Sequence, residues 1–168
     1  MKATLIVEGK EFPIEINDPE LQKLIAPPKK TGYERVPKDT VFYYVSCDDE
    51  VVAECDERTY SAKDSYDIAN YYSSYEIAEN NARADRLMRQ LRRFAVECRS
   101  VGIDWDKKDM TKWAIYYNRT EKELEAVTAC NAHYYGTIYF DLALHAHEAI
   151  AAFHDELIWY FTEYKDSL

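Results

Sequence analysis

The residue type with most chemical potential in this chain is arginine. Arg83, Arg86, Arg89, Arg92, Arg93 and Arg99 stand within one short stretch beside only Asp85 and Glu97. Six cations against two carboxylates leave that stretch at +4, in a protein whose total is -10. The planar guanidinium fork bonds oxygen atoms in pairs and stacks on rings, so it suits phosphate, carboxylate or aromatic partners. A helical wheel sets these arginines opposite Leu87 and Leu91, on an outer face. There they either form a binding surface for nucleic acid or an acidic protein, or are solvated and satisfied by the protein's own surplus carboxylates.

Tyrosine is the second resource, with 15 copies. They gather in Tyr43-Tyr44, Tyr71-Tyr72-Ser73-Ser74-Tyr75, Tyr116-Tyr117, Tyr134-Tyr135 and Tyr139. Neighbouring strand residues face opposite ways, so each doublet is expected to send one ring inward and one outward. Outward rings such as Tyr71 and Tyr75, beside an arginine helix, supply contact area at low entropic cost or stack on bases. Equally, strands simply favour tyrosine. The acidic turn Asp48-Asp49-Glu50 completes the set of expected partner-binding residues.

Reactive constellations are weaker. His145, His147 and His154 share the last helical stretch, and with Glu148 or Asp155 they could hold a metal ion. Neither an i,i+4 histidine pair nor H-E-x-x-H is present, so no metal is expected. Asp104-Trp105-Asp106 and the acidic turn single out no acid and base pair. With only four glycines there is no G-x-S-x-G, P-loop or G-x-G-x-x-G. Neither an enzyme nor a cofactor is expected.

The elements that must carry these residues follow from pattern. Alternation at Phe12, Ile14 and Ile16 after Glu8-Gly9-Lys10 predicts a hairpin from strands 4–7 and 11–16, with Pro13 at an edge. Asp18 and Pro19 predict a short helix through Leu21, Leu24 and Ile25. Pro27, Pro28, Gly32 and Pro37 make 26–40 a linker. Strands 41–46 and 51–55, a third strand 66–72, and a helix capped by Ser73 or Ser74 come next. Ile77, Ala84, Leu87, Leu91, Phe94, Ala95 and Cys98 form its core stripe. The order then returns: strands 113–117, 124–130 and 133–140, then a helix capped by Asp141 whose stripe runs from Ala146 through Phe153 to Tyr164. Tyr71-Tyr72-Ser73 with Ala78 and Ala82 matches Tyr139-Phe140-Asp141 with Ala146 and Ile150 at a constant shift. The expected fold class is α+β: two tandem three-stranded-sheet-plus-helix repeats (41–100 and 101–168) preceded by a β-hairpin and short helix (1–25) and the linker (26–40).

Composition sets the compartment. A hydrophobic fraction of 47% places the chain among folded proteins, so its charge is carried outside. Cys47, Cys55, Cys98 and Cys130 show no C-x-x-C spacing and read as reduced thiols. The opening residues lack the apolar stretch of a signal peptide, and the uncharged run 149–153 is far below the ~20 residues of a membrane helix. A soluble intracellular protein with no membrane partner is expected.

Three stretches resemble the uncharacterised small accessory proteins carried by phages and integrative elements of Firmicutes. They are Lys30-Thr31-Gly32-Tyr33-Glu34-Arg35-Val36 before a Tyr-Tyr strand, Asn70-Tyr71-Tyr72 before Glu76-Ile77-Ala78-Glu79, and Gly136-Thr137-Ile138-Tyr139-Phe140 before Ala146-His147-Glu148-Ala149-Ile150. The usual glycine ahead of the Asn-Tyr-Phe motif is Ala69 here, and its Phe is Tyr72, so the match there is looser. The resemblance implies a genetic context, the cytoplasm of a bacterial host cell as compartment, and no reaction: such elements often encode acidic proteins that disable immune nucleases, including anti-CRISPR proteins. The leading expectation is therefore a non-enzymatic mobile-element protein that binds and inhibits or modulates a host protein or protein–nucleic-acid complex, such as a CRISPR effector. The alternative is a nucleic-acid-binding accessory protein using the arginine helix and tyrosines. A third is a homodimer pairing the basic helix with a second copy's acidic surface.

Overall fold

The structure, a computed structural model, describes residues 2–7, 10–19, 30–107, 109–129 and 133–166. It is a mixture of helices and small antiparallel sheets, in two compact units, Met1–Thr31 and Gly32–Leu168. In the first unit, β1 (Lys2–Val7) pairs antiparallel with β2 (Lys10–Glu15), with Thr4 opposite Pro13. A two-stranded sheet has only edges, so the missing Pro13 amide costs no interior ladder bond. The short helix expected through Leu21, Leu24 and Ile25 lies outside the described residues.

The second unit begins with 32–40, which the sequence marks as linker but which packs on the body. Ser73 N donates to Gly32 O at 2.7 Å and Val36 N to the Tyr71 hydroxyl at 3.2 Å, while Val36 is buried with Phe42, Ala62 and Tyr71. Gly32 is needed there: its φ is +97°, and a Cβ would stand 2.8 Å from Ile77 Cγ1. Both the left-handed backbone and the close approach exclude a side chain. Gly32→Ala is expected to destabilise this unit by roughly 1–3 kcal/mol, seen as a Tm several degrees lower. An unchanged Tm would mean that the approach to Ile77 relaxes freely.

Strands β3 (Val41–Val45) and β4 (Val51–Cys55) form the next hairpin, Tyr43 facing Ala53. Its turn closes through Ser46 N to Glu50 O at 2.8 Å, and Ser46 Oγ accepts from the Asp48 and Glu50 amides. The third strand expected at 66–72 is not one. Helix α1 (Tyr60–Asp67) takes its first two residues, capped by Thr59 accepting from the Ala62 amide and braced by Lys63–Asp67 at 3.4 Å. Two groups then replace a strand along β3. The Asn70 side-chain amide accepts from Val45 N and donates to Val45 O, both at 2.8 Å, and Tyr72 exchanges a backbone pair with Tyr43.

Ser74 caps the long helix α2 (Tyr75–Glu97), accepting from the Ile77 amide. Ile77, Ala78, Ala82, Ala84, Leu87, Leu91 and Ala95 are its buried side, close to the expected stripe. Strands β5 (Trp113–Asn118) and β6 (Glu123–Thr128) pair in full. The strand expected at 133–140 shrinks to β7 (Tyr139–Phe140), Phe140 opposite Trp113, because Gly136 turns the chain at φ +76°. The closing helix is two, α3 (Ala143–Ala152) and α4 (His154–Thr162), broken at Phe153. Its N-cap is Leu142, with no side-chain cap bond, since the Asp141 carboxylate is engaged elsewhere.

The largest core joins what the sequence divides at residue 100. Leu87, Leu91 and Ala95 of α2 are buried with Phe140, Ala146, Ala149 and Leu157. Among the described residues no helix is long and apolar enough to cross a membrane.

Candidate functional site

The arginines of α2 do not share one fate. Arg83 reaches α4, where Nε and Nη2 donate to the Glu156 carboxylate at 2.8 and 3.0 Å, and its guanidinium lies 4.0 Å from the centre of the Trp159 ring. Such a fork on a ring and a carboxylate is already satisfied. The hydrogen bond to Glu156 raises the Arg83 pKa further, and the same bond lowers that of Glu156. Arg86 and Arg89, one turn apart, both bind the Asp49 carboxylate, and Arg86 also touches Asp49 O at 3.4 Å. Burial works to raise the Asp49 pKa, but the two guanidiniums outweigh it and the net shift is downward. Arg93 stands 4.0 Å from Glu97 with both side chains exposed, a pair of little energetic weight. Arg92 is exposed and has no ion pair or hydrogen bond among the described residues.

The acidic turn and the arginine helix, read as separate features of sequence, therefore meet. Asp49 sits at φ +68° at the turn's tip, between β3 and β4, and reaches α2 from there. Together they line an open groove of about 810 Å³ that includes Asp48, Asp85, Gln90 and Arg93. Its charges balance, three carboxylates against three guanidiniums, so it is not a ready anion site. Asp48 and Glu50 remain exposed.

Tyr71 is not outward. It is 1% exposed, stacked on Phe42 with centroids 4.2 Å apart, and its hydroxyl donates to Asp56 at 2.9 Å. Burial first, then Asp56, pushes its pKa up to about 12. The alternation rule fails here because 71–72 is not strand; Tyr72 is buried as well. Tyr75 is half-exposed, edge-on to Tyr43. Pattern reading missed Tyr60 and Ile68, the most exposed apolar residues around α1. Helical spacing after the Thr59 cap could have found them.

Two buried carboxylates have roles the sequence did not show, Asp56 unnoticed and Asp141 expected only as a helix cap. Asp56, wholly enclosed, accepts from Arg35 Nε, Arg58 Nη1, the Arg58 amide and Tyr71 Oη. Asp141 accepts from the Ser100 and Val101 amides at 2.7 and 2.8 Å and pairs with His145 Nδ1 at 2.7 Å. His145 Nε2 lies 3.4 Å from Ser100 Oγ, which gives the connectivity of a serine–histidine–aspartate relay. Because the Ser100 and Val101 amides and the His145 ring all bind Asp141, the group fastens the segment after α2 to the start of α3. His154 pairs with Asp155 and His147 is exposed. Among the described residues no three of His, Cys, Asp or Glu gather as metal ligands.

Residues 41–70 carry eight carboxylates against Arg58 and Lys63, a net -6. Asp49 and Asp56 are consumed internally, as is Arg58. Asp48, Glu50, Glu57 and Asp64 are exposed and outside any ion pair among the described residues. No family model matches the chain, and no curated protein or solved structure matches it either.

Proposed function

We propose that this is a non-enzymatic accessory protein of a phage or mobile element that acts in the bacterial cytoplasm by binding a host macromolecule. The target class is a CRISPR effector or another defence nuclease, which it inhibits or modulates. One observation carries the reading: α2 spends Arg83, Arg86 and Arg89 on the protein's own Glu156 and Asp49, while Asp48, Glu50, Glu57 and Asp64 face solvent unpaired. A surface of that sign is complementary to the cationic channel of a nuclease, which it would occupy in place of a phosphate backbone. Nucleic-acid binding would be left with Arg92 and Arg93 of the same helix and Arg99 just beyond its end. The same reading takes the two hairpins of Gly32–Leu168 as copies of one unit, supported by Tyr72 pairing with Tyr43 and Phe140 with Trp113.

The test is co-expression with a panel of defence nucleases, followed by co-purification and a cleavage assay. Wild-type protein is expected to retain a nuclease and suppress cleavage. Reversing Asp48, Glu50, Glu57 and Asp64 to lysine should weaken capture at least ~10-fold, mostly through a slower on-rate that depends on salt. Duplex DNA bound by the protein alone, with affinity falling steeply as salt rises, would overturn the reading in favour of the nucleic-acid alternative.

A further inference from the structure

A second cavity, of about 770 Å³, opens between α2, β5, β7 and α4. Leu87, Leu91, Phe140 and Leu157, which belong to the main core, line it together with Ile115 and Phe161. The segment 135–138 runs along one side, turned by Gly136 with no atom near the missing Cβ. An open, largely apolar-lined recess of this size is in the range of small-molecule sites. Its single charged lining residue is Arg92.

That residue sets the ligand's chemistry. Arg83, Arg86 and Arg89 each have a carboxylate of this chain, and Arg92 has none among the described residues. Arg92 is exposed and also lines the recess, which places it at the mouth. A guanidinium beside an apolar recess is complementary to a molecule with an apolar body and one anionic end.

We propose that this cavity binds a small apolar carboxylate, its body among the partly exposed Met88, Ile115, Ile138 and Phe161 and its carboxylate on Arg92. The site is separate from the acidic surface and does not depend on what that surface binds.

Calorimetric titration of the full chain tests it with two matched pairs: decanoate against decanol, and 2-naphthoate against 2-naphthalenemethanol. At least one anion should bind saturably, at one per chain and at least ~5-fold tighter than its neutral partner. Which body binds better distinguishes an acyl from an aryl ligand. Arg92→Gln, at an exposed position that should not disturb folding, should erase the preference for the anion while leaving residual binding of the apolar body. Methyl NMR shifts should move at Met88, Ile115 and Ile138. The proposal is overturned if neither anion saturates, if anion and alcohol bind alike to the wild type, if Arg92→Gln leaves the preference intact, or if the shifts map elsewhere.

Discussion

Leu87→Ala is expected to lower the unfolding free energy of Gly32–Leu168 by about 3 kcal/mol, in one transition. Leu87 is 1% exposed and packs in the core that holds Phe140, Ala146, Ala149 and Leu157. Truncation removes its transfer free energy and leaves a void that the rigid wall of α2 cannot close. The chain reports on itself, because Trp105, Trp113 and Trp159 all lie after residue 100 while Leu87 lies before it. Urea unfolding followed by tryptophan fluorescence and by circular dichroism should therefore shift by the same amount. If the tryptophan midpoint of the variant stays at the wild-type value, the two halves fold independently and the shared core does not couple them.

Such a core could be read only in part from sequence. The stripe of α2 and the hairpins were legible because burial imposes periods of 3.6 and 2 on residues adjacent in the chain. What the stripe meets was not legible: Leu91 and Phe140 are far apart in sequence, and no local rule joins them. The segment 66–72 misled for a different reason. Its tyrosines favour strand, yet Thr59 starts a helix through Asp67, and the side chain of Asn70 takes the ladder position that a strand would have supplied. Nothing at Phe153 announces a break, since neither glycine nor proline is near and the apolar stripe continues across it. The arginine density was visible at once, but a helical wheel gives direction without neighbours. Asp49 and Glu156, separated from their arginines by long stretches of chain, decide which guanidiniums remain available. Arg86 and Arg89 stay exposed but are held by Asp49, and of the six only Arg92 and Arg99 have no ion pair among the described residues.

Asp56→Asn should cost roughly 2–3 kcal/mol near neutral pH, and the cost should shrink in acid. The carboxylate is fully enclosed and joins Arg35 at 3.1 Å, Arg58 at 2.6 Å and Tyr71 at 2.9 Å, so it ties the segment before β3 to the start of α1 and to the core. An amide of the same shape must turn its NH2 toward at least one of these donors, and the buried Tyr71 hydroxyl cannot turn to water. Burial alone would raise the Asp56 pKa; the bonds from Arg35, the Arg58 amide and Tyr71 overcome it and hold the group at about 2, against 3.8 ordinarily. A folded-state pKa below the unfolded one stabilises the fold fully above about pH 4, and this contribution is lost as pH falls toward 2. Asp141, held low by the Val101 and Ser100 amides and His145 against the same opposing burial, adds a loss of the same sign. Wild-type stability should thus fall steeply between pH 4 and pH 2, and that of Asp56→Asn less steeply, by the share belonging to Asp56. Tyr71→Phe, which keeps the carboxylate and removes one donor, should cost about 1–2 kcal/mol and leave most of the pH slope in place. Parallel pH profiles for wild type and Asp56→Asn would show that the arginines solvate this carboxylate no better than water does, and the enclosed cluster would then contribute shape alone.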